Sequence, residues 1–124
     1  MKFSISQYPA AIAQAAQAVN ELEHQIGEAR QHIARLEGNA DLVVAFETNL
    51  KNDNQRKARR FEVLQANPEY QHAMDALLRL STEKSNALAH LEHLRNEFSV
   101  AKLEARLAIA QQLTGLETRE FVGL

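Results

Sequence analysis

From Ile12 onward, apolar residues recur in alternating steps of four and three: Ile12, Ala15, Val19, Leu22, Ile26, Ala29, Ile33, Leu36, Ala40 and Val43. The positions between them are Glu, Gln, Arg, His and Asn. More than four heptads in one phase predict a long helix with a coiled-coil seam rather than a generic amphipathic stripe. Gly38-Asn39 interrupts the composition but not the phase, so a weak point or kink is expected there. Phe46 and Leu50 close the segment. A second run has Tyr70, Leu77, Lys84, Leu91, Phe98 and Ala105 at one seam position and Ala73, Leu80, Ala87, Leu94, Ala101 and Ala108 at the other. Both runs mix small and large residues along the seam, which permits close backbone approach.

Between the runs, KNDNQ is polar and reads as a loop, with Asn52 or Asp53 capping the next helix. Ala58, Phe61 and Leu64 share one face of that short helix and are expected to pack against Phe46, Leu50 and Met74. Asn67-Pro68-Glu69 is the sharpest punctuation in the chain: a capping Asn, a Pro suited to the first helical position, and an acid near the positive end of the helix dipole. Residues 1–8 alternate, with Phe3 and Ile5 on one side, and read as an extended arm with Ser6 as a helix cap.

The expected organisation is a single domain: arm 1–8, helix 9–50, loop 51–54, short helix 55–66, helix 68–113, tail 114–124. The expected fold is all-α, a long antiparallel coiled-coil hairpin with a short helix at its tip. A turn centred on residue 59 makes facing residue numbers sum to about 118. That register sets Glu23 opposite Arg95 and brings Lys84 within reach of Glu37. Two helices make a thin core, and the stretch far from the tip is apolar on several faces. Ile12, Val19, Val100, Leu103, Leu107, Ile109 and Leu113 are therefore the expected interface of a homodimeric four-helix arrangement. The arm and the tail residues Leu116, Phe121, Val122 and Leu124 are the other candidate cover.

Composition narrows the chemistry. Two Pro, four Gly and no Cys in 124 residues favour helix and exclude disulfides, thiolate metal sites and thiol nucleophiles. No apolar run approaches the about 18 residues of a membrane span, and the first residues lack a signal-peptide pattern, so a cytoplasmic protein without membrane contact is expected. Net charge is −2, yet residues 51–60 hold Lys51, Arg56, Lys57, Arg59 and Arg60 against Asp53 alone. Such a cluster suits non-specific contact with nucleic-acid phosphates, or an acidic protein surface. Arg56 and Lys57 also stand near a helix N-terminus, where the dipole disfavours cations.

Glu21 and His24 have E-x-x-H spacing, and His90, His93 and Glu97 lie close in sequence, but His24, Glu21 and His93 fall on the outer face. No metal or cofactor is expected. No Gly-rich phosphate loop, nucleophile elbow or triad set is present, so no enzymatic activity is expected.

Asn52, Arg56-Lys57-Ala58, Leu64, Asn67-Pro68-Glu69-Tyr70 and the run Leu94 to Val100 resemble small helical proteins of phages and prophages, broadly uncharacterised and found among DNA recombination and replication genes. The resemblance spans residues 45–108, names no catalytic residue, and implies an accessory role near DNA. The expected function is a non-enzymatic interaction module whose basic tip meets nucleic acid; the alternatives are an adaptor docking an acidic protein and a purely structural dimer.

Overall fold

A computed structural model describes residues 3–122, with side chains through Gly115. A 3-10 turn (Ile5–Gln7) precedes α1 (Tyr8–Phe46), α2 (Asp53–Gln65) and α3 (Pro68–Val122). The turn is closed by Ser4, whose N–H donates to Gln7 Oε1 at 2.9 Å, while the Gln7 N–H donates to the Ser4 carbonyl at 2.9 Å. The arm is thus wound rather than extended, and Ser4 rather than Ser6 closes it. Asn52 Oδ1 accepts from the Gln55 N–H at 2.9 Å, and Asn67 Oδ1 from the Glu69 N–H at 3.0 Å. Each satisfies one of the amides that a helix start leaves without an intrahelical partner. Gly38 lies inside unbroken α1, and α3 runs on through Thr114-Gly115. The side chains of Leu116, Phe121, Val122 and Leu124 lie outside the described residues.

Two compact units divide the chain: residues up to Ala18 with those from Ala87 onward, and Val19–Asn86. In the second, α1, α2 and the first part of α3 form a three-helix bundle. Ile33, Leu36 and Ala73 are buried together, with Tyr70 and Leu77 packed against them. Glu37 accepts from the Tyr70 hydroxyl at 3.4 Å and Glu23 meets Lys84 Nζ at 3.4 Å, so α1 and α3 run antiparallel. α2 lies along the last turns of α1: Arg59 reaches Glu47 at 2.7 Å, Arg60 reaches Asp41 at 2.7 Å, and Leu64 is buried.

This arrangement overturns the two-helix coiled-coil hairpin, its tip and its dimeric four-helix assembly. The structure is all-α, but α2 is a third packed helix of the bundle, not a cap on a hairpin. The chain reverses between Phe46 and Asp53. The Glu37–Tyr70 and Glu23–Lys84 pairs each sum to 107, against the expected value of about 118, a shift of about three helical turns. Glu23 consequently meets Lys84 and not Arg95, and Glu37 meets Tyr70 and Arg60 and not Lys84. Seam positions up to Ala40 face inward as the pattern requires; the next buried residue is Val44, with Val43 left 42% exposed. The step lengthens where α1 packs against α2.

In the other unit, Tyr8 is the most buried large side chain. Its ring stacks on Phe98 at 5.4 Å, and Phe3 meets it edge-on at 5.6 Å. Ala15, Leu91 and Leu94 are buried as well. Beyond Ala105, every described side chain of α3 is exposed. Among the described residues, no helix is long and apolar enough to cross a membrane.

Candidate functional site

The basic segment is built by a capped helix start. The Lys51 N–H donates to Gln55 Oε1 at 2.6 Å while the Gln55 N–H donates to Asn52, so loop and first turn are tied reciprocally. Asp53 in that first turn takes Arg56 Nη1 at 2.8 Å, which offsets the unfavourable position of a cation near a helix N-terminus. Arg59 donates to Glu47 at 2.7 Å and to Glu62 at 3.3 Å. Arg60 donates to Asp41 at 2.7 Å and to Glu37 at 3.3 Å. The hydrogen bonds to Glu47 and Glu62 push the Arg59 pKa up, and those to Asp41 and Glu37 do the same for Arg60 against the opposing effect of burial, so both stay cationic.

Folding therefore accounts for three of the five cations. Arg59 and Arg60 bind α2 to α1, and Arg56 answers Asp53. Lys51 and Lys57 are exposed and have no ion pair among the described residues. The apolar surroundings also differ from expectation. Leu64 packs inside, but Phe61 is 64% exposed and Phe46 82% exposed, with Met74 also exposed. Phe61, Phe46 and Met74 thus do not form the buried wedge expected; of the α2 side chains, Leu64 is the one that is buried. A recess of about 270 Å³ is lined by Lys57, Arg60, Phe61, Leu64, Gln65 and Tyr70. The Phe61 ring and the unpaired Lys57 thus line one recess.

Among the residues expected at an interface between copies, Val19 is buried within the chain's own fold and Ile12 is half-buried. Val100, Leu103, Leu107, Ile109 and Leu113 are all exposed. Three of the five histidines pair with acids: His24 with Glu28 at 2.7 Å, His32 with Glu69 at 3.1 Å, and His93 with Glu97. No group of three His, Cys, Asp or Glu side chains capable of holding a metal occurs among the described residues.

Sequence reasoning did not anticipate a second feature. A cavity of about 280 Å³ opens beside Phe3 and Tyr8 and is lined on the α3 side by His93, Asn96, Glu97, Val100, Ala101 and Glu104. The α3 residues recur at helical spacing, so they form one stripe. The Tyr8 hydroxyl donates to Glu97 Oε2 at 3.1 Å. Burial, and after it the bond to Glu97, pushes the Tyr8 phenol above its ordinary value. A turn placed after Phe46 rather than at residue 59 would have brought Tyr8 and Glu97 together on paper; the signal was in the register. Comparison of the chain with protein-family models, with curated proteins and with solved structures finds no match.

Proposed function

We propose that this protein is a non-enzymatic interaction module that docks an acidic, partly apolar segment of a protein partner on α2 and the adjoining end of α1. The observation that carries this reading is the exposure of Phe46 (82%) and Phe61 (64%) in the part of the chain that holds Lys51 and Lys57. Two large aromatics in water are an energetic cost that a partner relieves, since aromatic anchors dominate the energetics of protein interfaces. Lys57, which shares a recess with Phe61, and the exposed Lys51 favour a negatively charged partner and steer its approach.

Non-specific contact with single-stranded nucleic acid is the second reading. It draws on the same Lys57 and Phe61 pair, because a base can stack on an exposed ring beside a cation. The two differ in which variants matter and in salt dependence. A fluorescein-labelled acidic amphipathic peptide and a labelled single-stranded oligonucleotide are titrated with the protein at about 50 and 200 mM salt. The adaptor reading expects peptide binding that weakens about tenfold in Phe46→Ala/Phe61→Ala, with a smaller loss in Lys51→Glu/Lys57→Glu. Oligonucleotide binding that exceeds peptide binding and falls steeply with salt establishes the second reading. Failure of both probes at low salt removes α2 as the docking surface.

A further inference from the structure

The cavity beside Tyr8 has a chemistry opposite to that of α2. Among the described residues no Lys or Arg lines it, whereas Glu97 and Glu104 both do. Glu97 is held in place: Tyr8 donates to one of its oxygens, and His93 contacts the other. A carboxylate has about four acceptor positions, so these two contacts orient Glu97 without saturating it. Glu104 has no ion pair among the described residues. The nearby Lys102 does not neutralise the site from within; its Nζ lies over the Phe98 ring, 4.4 Å from the centroid, and the residue does not line the cavity.

The rest of the wall is suited to an organic cation. Phe3, Tyr8, Val100 and Ala101 present aromatic and aliphatic surface. Such surface receives an alkyl stem, and ring faces attract a cationic head. Asn96 adds a neutral side chain that both donates and accepts. The negative field extends to the Tyr8 hydroxyl, where the charges of Glu97 and Glu104 both disfavour a phenolate. An anionic ligand would meet that same field. The volume of about 280 Å³ stands at the lower edge of ligand pockets, which run from about 300 to 1,000 Å³. It is large enough for a group the size of a long side chain.

We propose that this cavity is a binding site for a small organic cation, a guanidinium or ammonium group carried on an apolar stem. The stem lies against Phe3, Tyr8 and Val100, and the head reaches Glu97 and Glu104. This site lies in the unit that does not contain α2, and the proposal does not depend on the acidic-partner reading.

The test is a titration of the isotopically labelled full chain with n-butylguanidinium at low salt, read by amide chemical shifts, with neutral n-butylurea as the control. The expected result is a saturable perturbation confined to Phe3, Tyr8 and residues 93–104, with butylurea weaker by about tenfold, the effect of removing one charge-assisted contact. Glu104→Gln, on an exposed position where the fold does not depend on it, lowers the affinity by a similar factor, and its thermal melt shows that the fold is retained. Equal binding of butylurea, affinity unchanged in both Glu104→Gln and Glu97→Gln, or the absence of any saturable local shift each overturns the proposal. N-acetylarginine methylamide distinguishes the sources of such a cation. Binding comparable to that of butylguanidinium assigns the site to a protein side chain; exclusion of the amide with retention of the free cation assigns it to a small molecule, and either supports the site.

Discussion

The α2 segment and the Tyr8 cavity hold the most distinctive charges of the chain, and they use them in opposite ways. On α2 the abundant charge is largely consumed internally: Arg56, Arg59 and Arg60 each have acidic partners, and Glu37 and Asp41 of α1, with Glu47 just past its end, are among them. Only Lys51, Lys57 and two exposed rings are left for a partner. In the cavity the charge is sparse and only partly consumed: the Tyr8 hydroxyl and His93 hold Glu97, while Glu104 has no ion pair among the described residues. A dense run of charge is thus a poor guide to a site when its counter-charges lie one helix away. An acid that lines a cavity and has no ion pair among the described residues makes the stronger case.

The largest effect that sharpens this contrast is expected at Leu64, whose buried side chain anchors α2. Leu64→Ala is expected to cost about 3 kcal/mol in urea unfolding, the usual scale for truncating a core leucine. It is also expected to raise amide exchange across Asp53–Gln65 while leaving butylguanidinium binding intact. A cost below about 1 kcal/mol would show that α2 is held by its ion pairs rather than by packing.

Next comes the division among the cations. Arg60→Ala is expected to lose up to about 1 kcal/mol, because its side chain is 38% exposed and solvent screens its bonds to Asp41 and Glu37. Lys57→Ala is expected to stay within about 0.5 kcal/mol, as surface changes do. Equal costs for the two would erase the distinction between cations that fold the chain and cations left for a partner. Phe61→Ser should likewise change stability by no more than about 0.5 kcal/mol, given its exposure, while weakening peptide binding. A loss of several kcal/mol there would place Phe61 in the core.

The smallest signal concerns pH. The folded-state pKa of Tyr8 is raised above the ordinary 10.0, first by burial and then by its bond to Glu97. The folded chain then holds this proton more tightly than the unfolded chain. The resulting stability is fully present below pH 10 and is lost as pH rises through the higher folded-state value. The difference between absorbance titrations of the native protein and Tyr8→Phe should show a phenol ionising above 10. A midpoint at or below the ordinary value would mean that Glu97 does not act on the hydroxyl.

Much of this architecture was written in short-range pattern. The inward positions from Ala15 to Ala40, the caps at Asn52 and Asn67, and Pro68 at the start of α3 follow from side-chain period and helix-end chemistry, which act within about one turn. The candidate sites were less legible. Lys57 and Phe61 look alike in sequence whether α2 caps a hairpin or packs as a third helix, yet only the packing decides which faces water. Tyr8 and Glu97 are 89 residues apart, and nothing local links them.

By itself, then, the sequence determined that the chain is helical, where its helices begin, and which stripe of the two long helices turns inward. The tertiary structure decided the register of α1 on α3, the docking of α2, and hence which charges meet. The physical reason is range. Helix propensity, capping and amphipathic period are settled by neighbours a few residues apart. Register depends on where the chain reverses, and moving that point by a few residues reassigns every cross-helix pair, turning cations free for a ligand into the bonds that hold a helix in place.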